Sequence, residues 1–308
     1  MIAAPGGFRA WPPYWGVTGG QLIAFEVSDP GSPRFASQVN LSQDNWWSFS
    51  SAFTAGGLVY LSHQTTEMFE EPPAPVAGLV QPAKDPGDGT GVIDPLPPVR
   101  TWVQRSFLDV IDFADAAHPA VRQPVNIPGT LQGLSHEGSL LYTVGTRWSK
   151  ERPDDWTEYL EASAYDGVTA HLVDSLALSN VWPRPLLVVE TNLFLGRLGN
   201  DNASTDAPLP SLETWTLPET GKFTKTGSVR LAVAAQTLAS VPGLLIAQET
   251  DNSVVLFDIS RPDALPMRAQ ARPPGCLGFD LSNSDGEAAR GLWIPLGAYG
   301  VFSVPLNR

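Results

Sequence analysis

The run Ser253-Val254-Val255-Leu256-Phe257-Asp258-Ile259-Ser260-Arg261-Pro262, continued by Asp263-Ala264-Leu265-Pro266, limits what this chain can fold into more than any other stretch. It is an extended apolar run, then an acid, then a serine, then prolines. Proline sets φ and removes a backbone donor, so it belongs where a strand ladder ends. Asp and Ser side chains bond nearby backbone N–H groups and hold a turn. The strand therefore stops at the acid and the chain turns back. Related copies are Gln21-Leu22-Ile23-Ala24-Phe25-Glu26-Val27-Ser28-Asp29-Pro30 and Phe107-Leu108-Asp109-Val110-Ile111-Asp112-Phe113-Ala114-Asp115. Weaker copies occupy residues 161–166, 212–218 and 299–304. With Glu26, Asp112, Tyr165, Trp215, Asp258 and Ser303 as equivalent points, the steps are 86, 53, 50, 43 and 45 residues. Self-similarity at such a period points to a propeller or another repeat array. The runs are short, β-branched and broken by Gly, Pro, Asn and Asp, which selects strands over helices.

Each unit parses into four strands. In the fifth they are 237–241, 244–248, 253–259 and 267–272, with Pro242-Gly243 turning between the first two. The third unit reads 131–135, 140–145, 159–165 and 171–178, and the fourth 186–190, 193–197, 212–217 and 223–231. Short antiparallel strands in fours make propeller blades, which shield most of their edges by radial packing. The predicted fold is an all-β propeller of about six blade equivalents, compatible with a seven-bladed ring. It forms one domain over residues 1–308 with incomplete terminal blades. The terminal pieces do not sum to a whole blade, so further sequence upstream is expected, an export signal included.

Phe25-Glu26-Val27-Ser28-Asp29-Pro30 and Phe257-Asp258-Ile259-Ser260-Arg261-Pro262 resemble the LVIVD-type propeller repeat of bacterial proteins. That resemblance implies a propeller outside the cytoplasm, periplasmic, secreted or on the cell surface. It implies hardly any chemistry.

The long step between Glu26 and Asp112 has a cause. Residues 64–104 carry eight prolines and the run Asp85-Pro86-Gly87-Asp88-Gly89-Thr90-Gly91. They read as a Pro/Gly-rich loop insertion within the second unit. Insertions of this length in compact domains are usually functional loops or disorder.

Net charge is −13, with only 19 Lys and Arg residues. Phosphate binding needs concentrated basic residues, so no nucleic-acid partner is expected. No run of apolar residues is long enough to span a bilayer, so no membrane insertion is expected either. The one cysteine, Cys276, excludes an intrachain disulfide and reads as a small buried hydrophobe opening an inner strand.

In a blade, the connection from second to third strand and the crossing to the next blade share one face. Trp102, Trp148 and Trp156 fall in such connections, and Trp46, Trp47 and Trp182 in or beside the crossings. Arg147 and Arg197 lie with them, as do Arg105 and Arg184. Aromatic residues and arginine are the usual anchors of binding sites, and Trp at blade boundaries also packs neighbouring sheets together. The candidate ligand-binding set is Trp46, Trp47, Trp102, Arg147, Trp148, Trp156, Trp182 and Arg197, for a protein or glycan ligand.

No catalytic set emerges. His63, His118, His136 and His171 fall in different structural roles, which argues against a shared zinc site. Gly133-Leu134-Ser135-His136-Glu137 approaches the hydrolase nucleophile elbow, yet its last residue is not Gly and a hairpin follows. Glu137, Glu190 and Glu249 lie near turns, where paired carboxylates would suit glycosidase work. No phosphate or dinucleotide loop precedes a helix. Cofactors are therefore expected to be none. Calcium is the one weak candidate, at Asp85, Asp88 and Asp94 or at Asn200, Asp201, Asn202 and Asp206, and the former lack the EF-hand spacing. The first reading is a non-catalytic binding module. The alternative is a carbohydrate hydrolase or lyase working at the mouth of the central channel.

Overall fold

The computed structural model describes residues 21–27, 31–41, 52–71, 99–148, 156–178, 185–198, 209–218, 221–272, 291–295 and 301–305. The chain is all-β, with several four-stranded antiparallel sheets in sequence order. The first sheet pairs β1 (Gln21–Glu26) with β2 (Arg34–Asn40). The second orders β3 (Phe53–Ala55), β4 (Leu58–Glu71), β5 (Val99–Asp112) and β6 (Ala120–Val121), and β7 (Val125–Ile127) also pairs with β5. Its fourth strand is thus in two pieces, parted at Arg122-Gln123-Pro124.

The next three sheets each hold four strands in chain order. The third holds β8 (Thr130–Ser135), β9 (Leu140–Trp148), β10 (Trp156–Tyr165) and β11 (Ala170–Leu178). The fourth holds β12 (Leu186–Val189), β13 (Asn192–Arg197), β14 (Ser211–Thr216) and β15 (Thr224–Arg230). The fifth holds β16 (Ala235–Val241), β17 (Leu244–Glu249), β18 (Val254–Asp258) and β19 (Met267–Ala271). A sixth pairs β20 (Gly291–Pro295) with β21 (Val301–Pro305). Among the described residues the first and sixth sheets have two strands each and do not pair with one another. No helix there is long and apolar enough to cross a membrane.

Strand ends follow the local chemistry of the repeat. Asp258 Oδ1 accepts the Ser260 N–H at 2.8 Å and the Ser260 hydroxyl at 2.6 Å. Asp112 Oδ1 accepts the Ala114 N–H at 2.9 Å, and Asp166 Oδ1 accepts Val168 N–H at 2.8 Å. A basic residue on the returning segment completes two of these turns. Arg268 pairs with Asp258, and Arg122 lies 3.9 Å from Asp112, each ten residues beyond its acid. The hydroxyl and N–H of Ser260, then Arg268, hold the Asp258 carboxyl down at about 2.

The sheets meet face to face through apolar clusters, each drawn from two successive sheets, a propeller-like arrangement. Leu22 and Val39 pack on Val59, Leu61 and Ile111. Tyr60, Leu108 and Val110 pack on Leu131, Leu141 and Tyr165. Tyr142, Leu160 and Ala162 pack on Leu193 and Leu195. Phe194 and Leu212 pack on Leu245, Ala247, Val255 and Phe257. A fully buried side chain of this kind contributes roughly 1.5–3 kcal/mol relative to an exposed one. Polar ties add to the second contact, where Ser62 Oγ accepts the Leu131 N–H at 2.8 Å.

The hairpins joining second to third strands differ from expectation. The insertion expected over 64–104 is strand at both flanks. β4 and β5 stay paired from Leu58↔Asp112 out to Glu71↔Val99. Polar side chains do not end a ladder when both strands run past the sheet and solvent takes either face. Residues 146–148 and 156 likewise belong to β9 and β10, whose last pair is Trp148↔Trp156. Trp102, Trp148 and Trp156 therefore stand on strands, correcting their placement in loops. Trp46, Trp47, Trp182, the calcium candidates and the strand opened by Cys276 lie outside the described residues.

Candidate interaction face

One position repeats through the second to fifth sheets. It is the fourth residue of the second strand, on the face that meets the preceding sheet: Leu61, Thr143, Leu195 and Ala247. The residues paired with it across the third strand are Asp109, Glu161, Glu213 and Val255. Three consecutive sheets thus bury a carboxylate there, at 4%, 2% and 9% exposure, and the next buries a valine.

A buried carboxylate needs a hydrogen-bonded or charged partner. Two residues further along the second strand, on the same face, stand His63, Gly145, Arg197 and Glu249. His63 Nδ1 lies 2.5 Å from Asp109 Oδ2, and the imidazole stacks on Phe107 with centroids 5.3 Å apart. Arg197 Nε donates to Glu213 Oε2 at 2.9 Å. In the third sheet a Cβ at Gly145 would stand 3.4 Å from Glu161 Oε2. Pro128 O would lie only 2.6 Å from that Cβ, so the Pro128-Gly129 backbone fills the place and no side chain fits, and Arg147, one pleat further on, pairs with Glu161 instead.

Each pair has further support. Ser175 Oγ donates to Glu161 Oε1 at 3.0 Å and accepts from Arg147 Nη2 at 2.9 Å. The Arg147 guanidinium lies over the Tyr159 ring, 4.2 Å from its centroid, a favourable cation–π geometry. Glu213 also accepts from Trp215 Nε1 at 2.9 Å and Lys225 Nζ at 2.8 Å. Burial alone would raise the Glu213 carboxyl, and the bonds from Lys225, Arg197 and Trp215 outweigh it and hold it below its usual value.

The fifth sheet departs from the pattern. Glu249, 1% exposed, takes the place of the cation, and its carboxylate accepts the Ser253 hydroxyl. Val255 faces it within the apolar cluster. The hairpin here closes at once: Glu249 N–H donates to Ser253 O at 2.8 Å. In the second and third sheets the same end carries the long hairpins β4–β5 and β9–β10.

Of the residues expected to bind a ligand, Arg147 and Arg197 stand at this end of neighbouring sheets, each anchored by a buried glutamate. Trp102, Trp148 and Trp156 stand at the same ends of the second and third sheets. Asp109, Glu161 and Glu213 were not expected. A signal existed: each lies inside a third strand, with a base near the end of the strand before it.

The groups weighed for catalysis are apart. His118 is exposed and 3.0 Å from Asp115, His136 sits in a 3₁₀ turn (His136–Gly138), and His171 meets Thr169. Ser135 donates its hydroxyl to the Tyr142 hydroxyl at 3.2 Å, and the hairpin turn follows it. Glu137 and Glu190 occupy turns at φ 55° and 54°. Among the described residues no group of three or more His, Cys, Asp or Glu is placed to hold a metal ion.

No family model matches the sequence, and no curated protein matches it. Solved structures do. One is Sqt1 from Chaetomium thermophilum bound to the N-terminus of the ribosomal protein L10, at 16% identity and TM-score 0.45, covering 89% of this chain and 63% of that one. Another is the computationally designed Ika8 protein, at 7% identity and TM-score 0.46, covering 93% and 68%. The chain thus spans 63% of the length of that Sqt1 chain.

Proposed function

We propose that this chain is a propeller-type interaction module of LVIVD-like repeats, six or more sheets around an axis, with no catalytic centre of its own. It binds a protein partner at the end of the sheets where second and third strands join. The observation that supports this is the pair of hairpins β4–β5 and β9–β10, which run past the other strands of their sheets at that end. Scaffolds present recognition residues on such projections, while the packed sheets hold them still. The carboxylates within reach are already bonded to His63, Arg147, Arg197 and Lys225, which suits positioning better than acid–base work.

The test is a peptide-array screen with the whole chain, repeated with Trp148→Ala/Trp156→Ala. The double variant loses its protein ligand by at least about tenfold, as removal of anchor residues does, while its melting temperature shows an intact fold. Undiminished binding by the folded double variant refutes the face.

A further inference from the structure

We propose that the partner presents an acidic segment, and that Arg147 and Arg197 receive its carboxylates. This rests on the face assigned above.

Both guanidinium groups are already oriented. Arg147 is held through Nη2 by Glu161 and Ser175, with its plane over Tyr159. Arg197 is held through Nε by Glu213. Each anchor uses only part of the group. Nε and Nη1 of Arg147, and Nη1 and Nη2 of Arg197, have no further hydrogen bond among the described residues. On Arg197 the free Nη1/Nη2 edge is a planar fork of donors whose geometry matches a carboxylate in bidentate fashion. On Arg147, whose Nη2 is taken, Nε and Nη1 lie on different edges, and each donates singly. Orienting these donors beforehand removes part of the ordering cost of binding.

The sign of the charge follows from the same contacts. Arg197 and Lys225 share the single carboxylate of Glu213, which leaves one positive charge in excess. Arg147 and Glu161 balance. In a chain of net charge −13 this excess is held at a defined place. It compensates one singly charged carboxylate, at Arg197 and Lys225, while Arg147 serves a second as hydrogen-bond donor. A doubly charged phosphate at Arg197 and Lys225 would leave negative charge uncompensated beside Glu213. Access is graded: the side chains of Arg147 and Lys225 are 50% and 41% exposed, and that of Arg197 is 19% exposed. Arg147 therefore makes the first contact, and Arg197 with Lys225 the deeper one.

The experiment uses the full chain and three fluorescent peptides of equal length: one built on Glu-Gly repeats, one with Gln for Glu, one with phosphoserine for Glu. Binding is read by anisotropy at low and at physiological salt. The Glu peptide binds at least about tenfold tighter than the Gln peptide, and weakens with salt as ion pairing requires. Arg147→Lys/Arg197→Lys keeps both ion pairs and loses the Arg197 fork with the oriented donors of Arg147. Its affinity for the Glu peptide falls about tenfold, with the melting temperature kept as a control on folding. Equal binding of Glu and Gln peptides overturns the inference, as does preference for phosphoserine or undiminished binding by the lysine variant. Loss of the protein ligand in the tryptophan variant, with no effect of the lysine variant, removes the acidic segment and leaves the face. Undiminished binding of the protein ligand by the tryptophan variant removes the face itself.

Discussion

The second sheet and the fifth share one layout from the first strand to the turn that ends the third. β4 and β17 both follow a tight turn, β5 and β18 both end in an aspartate bonded to the next-but-one N–H, and both sheets bury their middle strands. They part at the other end. In the second, β4 and β5 continue as a paired ribbon and bury His63 against Asp109. In the fifth, the hairpin closes at Ser253, valine replaces the acid, and the buried Glu249 turns to a hydroxyl. In these two sheets the repeat therefore specifies the core and the acid-turn end. The opposite end is where the copies differ, and it is the end to which the interaction is assigned.

The sharpest test of this contrast puts an acid where the fifth sheet has none. Val255→Glu sets a carboxylate opposite Ala247 and on the same face as Glu249, with no cation in the place that His63 and Arg197 occupy elsewhere. An uncompensated buried charge costs about 3–5 kcal/mol, read as a fall in urea-unfolding free energy. A loss within experimental error means that cation pairing is not what separates the two kinds of sheet.

A middle-sized effect concerns the shared end. Ser260 and Arg268 hold the Asp258 carboxyl at about 2, below its ordinary 3.8. A depressed carboxyl contributes stability that is full above the unfolded value and lost as pH falls through the folded one. Asp258→Asn melts below the parent at neutral pH, and the gap closes between about pH 4 and pH 2. A gap that persists unchanged at pH 2 breaks the assignment of that turn to its charge.

The smallest effect is expected on the ribbon. Glu67 lies 3.4 Å from Arg105 with both side chains about half exposed. Glu67→Ala changes the free energy of unfolding by less than about 1 kcal/mol, measured by chemical denaturation. A larger loss makes the ribbon part of the folded core and erases the distinction drawn between the two ends.

Much of the fold was legible in the chain, because the signals that end a strand are local. Asp258-Ile259-Ser260-Arg261-Pro262 and Pro242-Gly243 act on their own backbone, and the strands around them fall within two residues of expectation. The ribbon was hidden because Gln64, Thr65, Thr66 and Glu67 have no apolar alternation, and their partners lie across residues 72–98. The carboxylates were hidden for a related reason. An acid within a strand reads as solvent-facing until its partner is known, and Asp109 finds His63 at a separation of 46 residues.

By itself, then, the amino-acid sequence determined that this is an antiparallel β chain of repeated four-strand units, and where most of its strands stop. Short-range turn chemistry and the period of the apolar runs suffice for that. Only the tertiary structure decided which strands outrun their sheet, and which acids are buried and paired. It also showed that Arg147 and Arg197 are oriented by glutamates on the strand next to their own. Those outcomes depend on register between distant segments and on desolvation by the neighbouring sheet, and neither is written in any local stretch of residues.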